Sequence, residues 1–267
     1  MRSAVFLKET DDRAGFTRAV MNRFRKDWSG RKVFVKPNIV SFERYPTTTH
    51  PDVLRQVLRM LDRAGCETIV GDGPAPDAGN SSRIIEDHPL QQVCGEFDIE
   101  LCNLHDEPFR KVMTRTGCKL RVSSVPFSYD YLISLPVLKH HRTTTITGAL
   151  KNHFGFLQNR ERILMHARLR NIHKSIAELH NVFRANLIIM DGCRTLRAGQ
   201  EIRHGGKVLR LGYMLAGQDP VALDSAGFNL MRNIIPELEG MQAIGIEHIR
   251  HAIRLGAGIP DYRKAGI

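Results

Sequence analysis

Short apolar runs rich in β-branched residues alternate along this chain with longer segments in which apolar residues recur every three or four positions. The first pattern predicts buried strands, and the second predicts amphipathic helices. Parallel strands need a long crossover between them, and a helix is its usual form. We therefore predict an α/β protein with a mostly parallel sheet, helices on both faces and a decorated middle segment.

Seven segments have the composition of buried strands: residues 4–8, 32–36, 68–71, 99–103, 131–135, 187–191 and 213–217. Helical spacing is clearest in residues 16–24, 53–61 and 172–183, and a further helix is expected to begin at Pro220. Residues 104–125 are rich in charges and turn formers and predict an insertion in the form of a hairpin. No repeat or flexible linker divides the chain, so we predict one domain over residues 1–267.

No apolar run reaches the roughly 18 to 20 residues that a membrane helix needs, and the first residues do not resemble a signal peptide. The five cysteines form no CxxC pair of the kind that zinc ribbons and iron–sulfur proteins use. We expect reduced, mostly buried thiols, a cytoplasmic protein and no membrane partner.

Polar residues follow several of the predicted strands. Lys36 and Asn38 end the second strand, Asp72 ends the third, and Thr49 precedes a predicted helix that it could also cap. Ligands of open parallel sheets bind at the carboxyl ends of the strands, so these four residues are candidate ligand-binding residues. Neither a GxGxxG fingerprint nor a P-loop is present, and the sequence identifies no cofactor.

The densest group of polar residues lies just after the fifth predicted strand. It contains Lys139, His141, Thr147, Gly148, Lys151, Asn152 and His153. Residues 139–174 hold eight Lys and Arg against one acidic residue, a formal +7 of the total +11. The positive charge is therefore concentrated near one strand end, where Lys and Arg could neutralise a carboxylate or phosphate and His could move a proton.

Two other interpretations of the basic segment remain open. Arg160, Arg162, Arg168 and Arg170 could contact nucleic-acid phosphates, although few aromatic residues accompany them and no known nucleic-acid-binding motif is present. His140, His141, His153 and His166 could bind a metal, but their spacing matches no common metal motif, and we assign no metal ligand.

The ordered set of these motifs resembles the family labelled domain of unknown function 362. The resemblance is carried by residues 35–38, Thr49 with Pro51, residues 72–74, residues 135–136, Lys139 with His141, residues 147–152 with Gly155, residues 191–192 and residues 219–224. It implies that six separated residues form one site: Lys36, Asn38, Lys139, His141, Lys151 and Asn152. A fainter similarity, in a His, Gly and Lys spacing, is to nickel-pincer lactate racemases, and we treat it as analogy.

Many members of the family carry an added ferredoxin-like module, which this sequence lacks, so an intrinsic iron–sulfur cluster is not expected. Our leading hypothesis is an enzyme that binds an anionic small molecule at the strand ends. In it, Lys36, Lys139 and Lys151 hold the anion, and His141 or His153 acts as acid or base. One alternative is a redox or metal-dependent protein, either iron–sulfur-associated or similar to nickel-pincer racemases, that acts through Cys193 or a bound cofactor with a redox partner protein. The other is a nucleic-acid-binding protein.

Overall fold

A computed structural model describes residues 2–267. Its strands are β1 (Ser3–Glu9), β2 (Lys32–Lys36), β3 (Glu67–Asp72), β4 (Leu101–Asn103), β5 (Phe109–Met113), β6 (Lys119–Ser123), β7 (Tyr131–Ser134), β8 (Lys139–His141), β9 (Thr145–Thr147), β10 (Leu187–Arg197), β11 (Lys207–Gly217) and β12 (Tyr262–Ala265). Its α-helices are α1 (Arg13–Arg23), α2 (Arg25–Trp28), α3 (Pro51–Asp62), α4 (Ser81–Glu86), α5 (Pro89–Gly95), α6 (Ala149–Asn152), α7 (Asn159–His166), α8 (Ile172–Val182), α9 (Pro220–Arg232) and α10 (Glu247–Arg254).

Eight of the strands form one sheet in the order β12-β1-β11-β10-β7-β2-β3-β4. Five of the seven neighbouring pairs are parallel, and only the two pairs that involve β11 are antiparallel. The prediction of a mostly parallel α/β sheet is confirmed. The antiparallel pairs arise because β10 and β11 form a long hairpin, so that each strand extends well beyond the five residues predicted for it.

Helices cover both faces of the sheet because successive side chains of its buried strands point to opposite sides. In β2, Val33 and Val35 join the core beneath α1, α3 and α5, whereas Phe34 joins the core beneath α8, α9 and α10. The apolar stripe of α3, which includes Leu54 and Leu58, is fully buried on the first of these faces. Within residues 2–267, no helix is long and apolar enough to cross a membrane.

Two small hairpins stand apart from the main sheet. Strands β5 and β6 pair within the segment for which the sequence predicts a hairpin. Strands β8 and β9 pair just after β7 and lead directly into α6. The second hairpin and α6 follow β7 and carry half of the ten polar candidate residues from the sequence: Lys139, His141, Thr147, Lys151 and Asn152.

Candidate active site

A cavity of about 540 Å³ lies at the carboxyl ends of β2 and β3. Its walls are the loops that follow these two strands, the β8–β9 hairpin, α6 with the turn after it, α7 and the tip of the β10–β11 hairpin. Polar residues therefore gather at the edge of the parallel sheet where ligands usually bind.

The short helix α6 places Lys151 and Asn152 on the cavity wall. Its first turn is capped from a distant part of the chain, because the Asp224 carboxylate in α9 accepts hydrogen bonds from Ala149 N at 2.6 Å and Leu150 N at 3.1 Å. A Cβ atom at Gly148 would lie 2.2 Å from Asp224 Oδ1, so glycine leaves room for this cap. Gly148 thus shapes α6 and does not line the cavity.

Three cationic side chains line the cavity: Lys139, Lys151 and Arg162. Lys139 Nζ donates to the Thr47 carbonyl. Arg162 Nη1 donates to the carbonyls of Gly73 at 2.9 Å and Pro74 at 2.7 Å. Among residues 2–267, none of the three has a carboxylate oxygen within 4.0 Å, and Lys151 Nζ has no hydrogen-bond partner.

The pKa values of these cations are lowered by burial, which penalises the charged form. Burial and the nearby charges of Arg162 and Lys139 lower the pKa of Lys151 to about 7. Burial lowers the pKa of Lys139 to about 8, and that of Arg162 to about 10. Lys151 is consequently a group that can both hold and release a proton near neutral pH.

His141 lies in β8 and presents one fixed tautomer to the cavity. Its Nδ1 accepts hydrogen bonds from Thr143 N at 3.1 Å and Thr144 N at 3.2 Å, so the proton of the neutral ring is on Nε2. Burial, reinforced by Lys151, lowers the pKa of His141 well below 6.5. His141 is therefore a neutral hydrogen-bond donor at physiological pH.

Lys36, behind the cavity wall, forms a buried ion pair with Asp72, which lines the wall. Lys36 Nζ lies 2.5 Å from Asp72 Oδ1 and donates to the Pro37 carbonyl at 2.8 Å. The other carboxylate oxygen accepts from Ile39 N at 2.6 Å. This is a correction to the expectation that Lys36 holds the anion, because its charge is already compensated and it does not line the cavity.

The glycine after α6 allows this ion pair to form. A Cβ atom at Gly155 would lie 2.0 Å from Asp72 Oδ1 and 3.0 Å from Lys36 Nζ. We expect Gly155→Ala to lower the free energy of unfolding by about 1–3 kcal/mol, because the added methyl group must displace a buried carboxylate. Gly95→Ala is the control, since a Cβ there meets no atom within 4 Å. Urea denaturation of both variants tests this, and equal stabilities would contradict it.

Seven of the eleven residues singled out in the sequence line the cavity: Asn38, Asp72, Lys139, His141, Thr147, Lys151 and Asn152. The other four do not, and they include Thr49 and His153 besides Lys36 and Gly148. Thr49 Oγ1 accepts from Asn38 N at 2.7 Å and donates to the Leu135 carbonyl at 2.7 Å, so it joins two loops. It does not cap α3, whose N-cap is His50.

His153 is fully buried behind the cavity wall, where its ring stacks on His180 with 5.4 Å between centroids. Burial lowers the pKa of His153 well below 6.5 and keeps the ring neutral. His153 was predicted to act as an acid or base, but its side chain points into the core and does not reach the cavity. Lys151, two residues earlier, does line the cavity.

The sequence suggested Arg162 only as a phosphate contact in the alternative nucleic-acid hypothesis, and it did not select Glu201. Arg162 is 6% exposed and Glu201 is 1% exposed, and both line the cavity. Glu201 is compensated by Arg203, whose Nε lies 2.7 Å from Glu201 Oε2. No local sequence motif identifies either residue. Arg162 reaches the cavity because α7 packs beside it, and Glu201 reaches it because the tip of the β10–β11 hairpin does.

Among residues 2–267, one group of side chains has the spacing of metal ligands: Asp77, Glu201 and His204. Arg203 bridges its two carboxylates, with Nη2 2.9 Å from Asp77 Oδ2 and Nε 2.7 Å from Glu201 Oε2. The Arg203 guanidinium therefore already neutralises the two carboxylates that a metal ion would need. The histidines considered as metal ligands in the sequence do not belong to this group.

The fold and site together define an α/β protein with a cationic cavity at the carboxyl edge of a mostly parallel sheet. The chain belongs to the family described as domain of unknown function (DUF362), whose model matches residues 33–229. This confirms the resemblance noted in the sequence. The matched segment contains all the residues that line the cavity.

A curated relative is the thylakoid-associated protein sll1697 of Synechocystis, which is 24% identical over 226 residues, or 81% of this chain and 69% of the relative. The lactate racemase apoprotein from Thermoanaerobacterium thermosaccharolyticum is a similar solved structure, with a TM-score of 0.50 and 14% identity over 80% of this chain. The chain spans 54% of that structure's length. At this identity, the likeness shows a shared α/β fold.

Proposed function

We propose that the protein is an enzyme that binds a small anion, a carboxylate or a phosphate, in this cavity. The proposal is carried by one observation: Lys139, Lys151 and Arg162 line the cavity without a carboxylate partner among residues 2–267. Lys139 and Arg162 are buried, whereas Lys151 is partly exposed. Burying a cation without a counter-charge is costly, and a bound anion would offset that cost. Three carboxylates line the walls, and all are already paired: Asp72 with Lys36, and both Asp77 and Glu201 with Arg203.

The three cations differ in whether hydrogen bonds to the protein hold them in place. Lys139 and Arg162 are held by backbone carbonyls and would orient the anion and stabilise negative charge that develops on it. Lys151 Nζ lies 4.9 Å from the centroid of the Phe154 ring and has no hydrogen-bond partner among residues 2–267, and its pKa is about 7, so it would transfer the proton. The Nε2–H of neutral His141 would donate a hydrogen bond.

The alternative functions find less support in the described residues. The buried Lys139 and Arg162 face a cavity of about 540 Å³, which suits a small molecule better than a nucleic-acid backbone. Cys193, the thiol considered for redox chemistry, is buried, and burial raises its pKa, which lowers its reactivity.

We also propose that the protein is cytoplasmic, and cell fractionation would test this location.

A pH titration of anion binding tests the proposal. Sulfate and butyrate keep their charge between about pH 6 and pH 9, whereas free Lys151 loses its proton above a pKa of about 7. A bound anion favours the protonated amine, so we expect affinity to be constant below about pH 7 and to fall about tenfold or more by about pH 9. Calorimetric titration measures both dissociation constants. If neither anion binds at any pH in this range, the proposal is wrong.

A further inference from the structure

One face of α7 borders the cavity and is open to solvent. Ile163 and His166 of this helix and Ala167 at its C-cap all line the cavity. Residues three and four positions apart lie on the same side of a helix, so these side chains share the face that borders the cavity. Met165, on the opposite side of α7, is buried in the core. Ile163 is 54% exposed, so a ligand in the cavity can reach this apolar side chain.

The loops after β2 and β3 add further apolar residues to the wall. Val40 and Pro76 line the cavity, and both are partly exposed. The two loops are joined, because Ala75 N donates to the Val40 carbonyl at 2.7 Å. Arg162 of α7 in turn donates to the Pro74 carbonyl at 2.7 Å. The accessible apolar residues of α7 and of these loops therefore belong to neighbouring parts of one wall.

The cations lie deeper than these apolar residues. Lys139 is 1% exposed and Arg162 is also buried. The buried Phe154 ring links the cations to α7: its centroid lies 4.9 Å from Lys151 Nζ, 5.5 Å from Arg162 Cζ and 6.0 Å from the centroid of the His166 ring. The cavity thus has a cationic inner end and an apolar outer end.

The cavity is also larger than a short anion needs. If each non-hydrogen atom takes the ~30 Å³ of a water molecule in the liquid, butyrate fills roughly 180 Å³. That volume is about a third of the cavity volume of about 540 Å³. An apolar group in the remaining space would leave water and pack against apolar side chains, which favours binding.

We propose that the ligand is an anion with an apolar tail, an alkyl carboxylate or an alkyl phosphate. Its charged group meets the buried cations, and its tail packs against Ile163 and the neighbouring apolar wall. This inference rests on the proposed function, because the cations must receive the charged group. It adds a class of substrate, since a tail of several carbons is needed to use the outer end of the cavity.

Two matched pairs of ligands test the inference by calorimetric titration at about pH 6: octanoate against butyrate, and octyl phosphate against butyl phosphate. We expect the longer member of at least one pair to bind about tenfold or more tightly, because each buried methylene group adds up to about fourfold in affinity. The better pair identifies the charged group. 1-Octanol has the same tail without the charge and should bind at least about tenfold more weakly than the better long anion.

The outcomes separate this inference from the proposed function. Equal affinities within both pairs would overturn the inference while leaving the anion site intact. Binding of 1-octanol as tight as that of the long anions would also overturn it, because the cations would then not receive the charged group. Failure of sulfate and of all four anions to bind would overturn the proposed function as well.

A pair of matched variants then locates the tail. Ile163→Ser should lower the ratio of long-chain to short-chain affinity about threefold or more, because it removes apolar surface from the outer end of the cavity. Ile244→Ser is the control, since Ile244 is similarly exposed, at 50%, but does not line the cavity. It should leave the ratio unchanged. Because both isoleucines are at least half exposed, both variants are expected to fold. An equal ratio in the two variants would contradict the position assigned to the tail.

Discussion

Lys36→Met is expected to lower the free energy of unfolding by about 3–5 kcal/mol, because it leaves the buried Asp72 carboxylate without its counter-charge. The two side chains are 1% and 2% exposed, so water cannot replace the lost ammonium group. Asp72 would keep its hydrogen bonds from Ile39 N and Gly73 N, which stabilise the charge only in part. Urea denaturation followed by circular dichroism measures the change.

The same strand supplies the control for this experiment. Lys32, at the other end of β2, pairs with Glu67 at 2.8 Å, but both side chains are more than half exposed. Exposed pairs contribute little to stability, so Lys32→Met should leave the denaturation midpoint nearly unchanged. Adding Asp72→Asn to Lys36→Met should recover part of the lost stability, because it removes the uncompensated charge. Similar effects of Lys36→Met and Lys32→Met would show that Lys36 and Asp72 do not interact as the structure indicates.

This ion pair also shows what the sequence could predict about the site. Lys36 and Asp72 were both recognised as residues at strand ends, because an apolar run is visible in the sequence and its last residue follows from it. Their mutual pairing depends on the parallel register of β2 and β3, in which Val35 lies opposite Val70. Register is a tertiary property, and the sequence therefore placed an ammonium group in the cavity that the structure places behind its wall.

Among the cavity residues, too, those set by local sequence could be predicted, and those set by tertiary contacts could not. Lys139, His141, Lys151 and Asn152 lie within one short stretch after β7, so covalent connection keeps them close, and the sequence located all four. Arg162 reaches the cavity because its guanidinium donates to two carbonyls in the loop after β3, about ninety residues earlier in the chain. A contact of that separation depends on how α7 docks, and local spacing does not encode it.

Lys151→Met is expected to weaken binding of sulfate or butyrate by about ten- to a hundredfold at about pH 6, because it removes a charge-assisted hydrogen bond of roughly 1.5–3 kcal/mol. It should also shift the loss of affinity from above about pH 7 to above about pH 8, since the remaining cations, Lys139 and Arg162, have higher pKa values of about 8 and about 10. Arg160→Met is the control, because it deletes an equal charge from an exposed position outside the cavity. Weak binding together with a loss of affinity that begins only above about pH 8 would separate a role for Lys151 in the site from a general effect of charge.

Stability without ligand gives a second, independent measurement on Lys151. Its pKa falls from 10.5 to about 7 on folding, so between these pH values the unfolded chain binds more protons than the folded protein. This contribution to the free energy of unfolding therefore rises with pH from about 7 to about 10.5 and is constant below about 7. Lys151→Met should lose that rise and be more stable than the wild type near neutral pH, where the methionine has no charge to bury. If the variant is less stable and its pH dependence is unchanged, Lys151 supports the fold and is not the titrating group of the cavity.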